Sequence, residues 1–133
     1  MCVNWARHLN APFKRSGAVS SRLGLYEFRE PQKGAADQAA CLVETVAEIA
    51  PLLEIVVRKG TGAASLERVR KCKREADTFI LVGLGEVYES AGGGGEPLRE
   101  AMKWSQIYDR LEEVASCLEH TANVIAGIIL KKV

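Results

Sequence analysis

One apolar stripe runs without a slip through positions 97–131 and limits what this chain can become. Ala101, Trp104, Tyr108, Leu111, Ala115, Leu118, Ala122, Ile125 and Ile129 recur at steps of three and four, the period of one helix face. At 1.5 Å per residue this predicts a helix roughly 50 Å long, which needs other helices along its length. Two further patterns supply them. Positions 35–59 carry Leu42, Val46, Ile49, Leu53 and Val57 at helical spacing, with Asp37 near the positive end. Pro51 lies inside and removes one backbone hydrogen bond, which predicts a kink. Positions 65–88 place Leu66, Val69, Cys72, Ala76, Ile80 and Val87 inward, and Arg70, Lys71, Lys73 and Arg74 outward beside Glu67, Glu75 and Asp77. Gly60 and Gly62 close one connection, and the run Gly92 to Gly95 the next. Both are short enough to keep consecutive helices adjacent. The expectation is an all-α antiparallel bundle of three main helices over 31–133, preceded by a basic leader over 1–30 that is irregular or partly helical.

Composition narrows the function. The 133 residues carry a net charge of +1, 47% hydrophobic and 6% aromatic side chains, the makeup of one small helical domain. Near-neutral charge gives no global attraction for nucleic acid. No continuous apolar run reaches the roughly 18–20 residues of a bilayer span, so direct membrane insertion is not expected. Positions 1–26 hold Arg7, Lys14, Arg15 and Arg22 without an acid, as a transit peptide would; lacking a continuous apolar core they are not a secretory signal, and the favoured reading is a poorly ordered leader or an altered start. Cys2, Cys41, Cys72 and Cys117 are too widely spaced for a metal knuckle or redox pair, and a reduced cytoplasm fits them. With only His8 and His120, a hydrolytic triad has little material, and the expectation is a protein without enzymatic activity. The run from Phe79 to Val87 imitates a dinucleotide-binding strand and turn, but Tyr88 stands where the third glycine belongs. The glycine run lacks the Lys-Ser or Lys-Thr of a phosphate loop. Gly83 and Gly85 read instead as places where helices approach closely.

Specific residues point to a family. Glu75-Ala76-Asp77 lies on one helix. There follow Pro97-Leu98, Lys103-Trp104, Ile107-Tyr108, Leu111-Glu112, Cys117 with Glu119 two positions on, Ala122-Asn123-Val124-Ile125 and a closing Ile129-Leu130-Lys131. In these the chain resembles the PhoU-like proteins that accompany Pit-type phosphate transporters, with a weaker likeness back to Ser21. The resemblance implies an all-helical bundle that regulates inorganic phosphate uptake, with a transporter of the Pit type as partner. It also implies metal ligands, because PhoU relatives hold metal through acidic pairs four residues apart. The corresponding positions here are Asp77, Glu112, Glu119 and His120, and the implied metal is iron or another divalent cation.

The chain departs from that pattern. Lys73 stands one turn before Asp77, Ser116 one turn after Glu112 and Asn123 one turn after Glu119, while His120 replaces an acid. A cationic or neutral group in place of a carboxylate predicts weak or absent metal binding. Family members also carry N-terminal helices before the matching segment. Without them an apolar stripe needs a cover, so a homo-oligomer is expected, joined through the stripe from Trp104 to Ile129 and the helix of Val46 and Leu53. Two alternatives remain open at this point: a carboxylate-rich metal-binding bundle, and a truncated helical scaffold without ligand.

Overall fold

The computed structural model describes residues 2–26, 28 and 32–132, with side chains described for 10–26, 28 and 32–131. Cys2, Arg7 and His8, noted above, lie outside the described side chains, and Pro31 lies outside the described residues. Four helices follow one another: α1 (Cys2–Tyr26), α2 (Lys33–Val57), α3 (Ala63–Ala91) and α4 (Glu96–Lys132). Among the described residues the bundle therefore holds four helices rather than three. Most of the segment read as an irregular or partly helical leader is a helix of 25 residues. Its period is hard to read because Pro12, Gly17, Gly24 and several serines dilute the apolar positions, and propensity is overridden by packing on a neighbour.

That neighbour is α4, which touches each of the other three helices, whereas among the described residues α1 touches α4 alone. Arg15 Nη1 reaches Glu113 Oε2 at 3.3 Å, Arg22 Nη1 reaches Gln106 Oε1 at 2.9 Å, and Lys103 Nζ donates to the Tyr26 carbonyl at 3.2 Å. These pairs make α1 antiparallel to α4. On another side of α4, α2 and α3 form an antiparallel pair with Arg68 Nε 2.8 Å from Glu48 Oε2. All nine positions of the long apolar stripe are buried, as its unbroken period requires. The same burial corrects the expectation that the stripe from Trp104 to Ile129 joins one copy to another, because this chain's own helices cover it. α4 also meets the length and hydropathy of a membrane span over Glu96–Lys131, although no continuous apolar run was expected to. The same helix carries the buried stripe that packs against the other three.

α2 is one element through Pro51. It turns inward a face of Ala35, Gln38, Cys41, Thr45, Ile49 and Leu52, while Val46, Leu53 and Val57 of the expected stripe are exposed. Ile49 of that stripe is buried and Leu42 packs against the core; the helix is apolar on more than one face, so periodicity alone mixed residues of two faces. After α3 the chain turns through Gly92, Gly94 and Gly95, each with positive φ, a backbone region that costs other residues energy.

A close crossing locks α2, α3 and α4 together. The Tyr108 side chain from α4 lies against Gly34 of α2 and Gly83 of α3, and a Cβ added at Gly34 would stand 2.5 Å from its hydroxyl. Gly83 thus permits the close approach expected of it. Gly85 has open space around it instead. Gln32 gives α2 no side-chain cap, and the Tyr108 hydroxyl at this crossing is buried without a hydrogen-bond partner among the described residues.

Candidate functional site

The acidic and histidine residues of α4 do not converge with Asp77. Glu112, Ser116 and His120 line a groove of about 640 Å³ between α1 and α4, together with Arg15, Asp109, Glu113 and Cys117. Their spacing places them on the α4 face turned toward α1, because residues three or four apart share a helix surface. Asp77 belongs to α3, where Lys73 Nζ donates to its carboxylate. No α3 residue lines the groove, and neither does Glu119. Among the described residues no group of three or more His, Cys, Asp or Glu side chains is arranged to hold a metal ion.

Charge sets how strongly the groove could hold a cation. Glu113 is held by two guanidinium groups, Arg15 at 3.3 Å and Arg110 at 3.2 Å. Arg15 occupies ground that a cation would need, and its position was invisible in the sequence because it comes from the segment read as a leader. Asp109 and Glu112 remain as the carboxylates of the groove outside these pairs. Two carboxylates with neutral partners hold a hard cation weakly, since the lost hydration is offset by charge. We expect Ser116→Asp alone to strengthen binding of Mn²⁺ or Zn²⁺ at least tenfold by titration calorimetry, with little added by Lys73→Glu. Equal gains from Lys73→Glu would show that α3 reaches the groove.

The buried thiols are packing groups. Burial pushes the Cys41 thiol up from 9.0 to about 11, helped by the charges of Glu75, Cys72, Glu44 and Asp37. Burial likewise raises the Cys72 thiol, opposed by a hydrogen bond with Thr45 and reinforced by Glu44, Glu75 and Glu48. Both stay protonated at neutral pH, and a protonated thiol is a poor nucleophile. The unfolded chain loses the Cys41 proton near pH 9 and the folded chain near pH 11. Cys41 thus favours the folded state fully below pH 9 and loses that contribution as the pH rises toward 11. Stability measured by urea unfolding should fall across that interval by on the order of 1–3 kcal/mol more in the native sequence than in Cys41→Ala. Parallel curves would remove Cys41 from the account.

One buried group escaped the sequence reading. Gln38 is wholly buried on the inner face of α2, and neither its amide oxygen nor its nitrogen has a hydrogen-bond partner. Burial also raises the pKa of Tyr108, with Glu86 adding to the rise, the Ala35 amide opposing it and Asp37 reinforcing it. The pattern of apolar residues conceals such groups, because a polar side chain in the stripe reads as an interruption. Compared with protein-family models, with curated proteins and with solved structures, the chain matches none.

Proposed function

We propose that this chain is a non-enzymatic regulatory protein of inorganic phosphate transport, of the PhoU-like kind, acting in the cytoplasm on a Pit-type transporter. One observation carries the reading. The residues that bear the resemblance fall on α4, the helix that contacts all the others, and its Trp104, Ile107, Tyr108, Leu111 and Ile125 are core residues. The Glu-Ala-Asp run lies beside it on α3, with Ala76 packed against Ala115 and Cys41. The resemblance therefore follows the residues that set the packing of the bundle, where sequence is most constrained by fold. Protonated, buried thiols agree with a role exerted through surfaces rather than covalent chemistry.

The test is association. A tagged full-length chain co-expressed with a Pit-type permease should be recovered with it from detergent-solubilised membranes, and a permease of unrelated fold should not be. Recovery of neither, with the chain folded by circular dichroism, would end the reading. A second reading, a carboxylate-rich metal-binding bundle, draws on the Asp109 and Glu112 carboxylates of the groove, and tight stoichiometric metal after chelator dialysis would favour it.

A further inference from the structure

α2 carries a second apolar face that no described residue covers. Ala36, Ala39, Val43, Val46, Ala50 and Leu53 follow one another at steps of three, four, three, four and three, and each is exposed. Val43 is 70% exposed and Val46 51%. Sustained alternation of three and four is the seam along which helices pack as coiled coils. Hydrophobic residues in such a row on a helix already buried on its other face call for a partner.

We propose that a second copy of this chain covers this face, with the two α2 helices antiparallel and the two-fold axis between residues 44 and 45. In that register Ala36 of one copy faces Leu53 of the other, Ala39 faces Ala50, and Val43 faces Val46. Small side chains meet larger ones at the ends, and the central layers are uniformly of valine size. The flanking row, every seventh position, is Lys33, Ala40, Ala47 and Glu54. The same register sets Lys33 of each copy against Glu54 of the other, and Ala40 against Ala47. Glu54 has no cationic partner among the described residues, and the Lys33 side chain is 89% exposed although its ammonium lies 3.3 Å from Asp37. A parallel pairing would leave Lys33 and Glu54 roughly 30 Å apart along the axis.

Continuity and charge favour a second copy over other occupants. The six exposed seam residues form one unbroken apolar row along α2, which an antiparallel second copy would cover over its full length. Asp37, Glu44, Glu48 and Glu54 outnumber Lys33 along α2, which disfavours an anionic lipid surface against this face. The pairing deepens the self-association expected from the sequence and does not rest on phosphate transport, so either can fail without the other.

The test uses the full-length chain in sedimentation equilibrium, with circular dichroism as the control for folding. The native sequence should be dimeric at micromolar concentration, and Val43→Glu with Val46→Glu should weaken the dimer at least a hundredfold while the helical signal persists. Glu54→Lys alone should weaken it about three- to tenfold, and Lys33→Glu added to Glu54→Lys should restore it to within about twofold. A spin label at Val57→Cys, with Cys2 and Cys117 replaced by Ser, should report roughly 35–40 Å between copies. A monomeric native chain overturns the proposal, as does a dimer indifferent to Val43→Glu with Val46→Glu. Failure of the charge-swapped pair to recover, or a label separation below about 20 Å, overturns the antiparallel register.

Discussion

Gly83→Ala should lower the free energy of unfolding by about 1–3 kcal/mol, although alanine is the better helix former by about 1 kcal/mol. The added methyl would fall inside the contact distance of the Tyr108 ring as well as of its hydroxyl. Tyr108 is wholly buried, so the ring has little room to retreat. Gly34→Ala should behave differently once Tyr108 is changed to Phe. At Gly34 the nearest obstruction is the hydroxyl oxygen, followed by the Gly83 backbone at 3.1 Å. Removing the hydroxyl should therefore recover most of the loss at Gly34 and little of it at Gly83. Urea unfolding of the two double-mutant cycles checks this, and equal rescue at both glycines would contradict the described crossing.

Trp104→Ala should cost about 3–5 kcal/mol, the range for truncating a buried aromatic. Trp104 is 4% exposed, stacks on Phe28 with ring centroids 4.0 Å apart, and has Tyr108 at 6.5 Å. Phe28 lies in the connection that follows α1, so the substitution should loosen α1 as well as the α2, α3 and α4 packing. Met102→Ala, on the exposed face of the same helix, should stay within about 0.5 kcal/mol of neutral. Hydrogen exchange should show α1 amides losing protection in Trp104→Ala before those of α3. A uniform loss would mean that α1 has no separate stability.

These expectations sort what the sequence discloses. α4 was legible because one apolar face meets one continuous need for burial, so its nine stripe residues could be named from period alone. α3 was legible for the same reason, with Val69, Cys72, Ala76, Ile80 and Val87 all buried. α2 misled because it has apolar residues on two faces, and only packing distinguishes the face of Leu52 from the face of Leu53. α1 was obscured by proline and glycine within a helix held by a single neighbour. The metal-ligand positions were readable as a likeness, but their placement was not. Asp77 and Glu112 sit on different helices, and the segment that brings Arg15 to Glu113 bears no visible relation to the acidic residues in sequence.

The role of Gly83 was legible in part, because glycine inside a helix flags a close approach without saying what approaches. The identity of that neighbour, a tyrosine from α4 some 25 positions along the chain, follows from the antiparallel pairing of α3 with α4. Gln38 carries the opposite lesson. A wholly buried amide without a partner is costly, and no local sequence rule anticipates it.

Phosphate uptake tests the central claim most directly. Proteoliposomes or cells carrying a Pit-type permease should show a change in the initial rate of radiolabelled phosphate uptake of at least about twofold when this chain is supplied on the cytoplasmic side. A folded chain that loses α4 packing through Trp104→Ala should produce a smaller change. An uptake rate indifferent to the native chain, measured under conditions where chain and permease are both present and folded, would contradict the account.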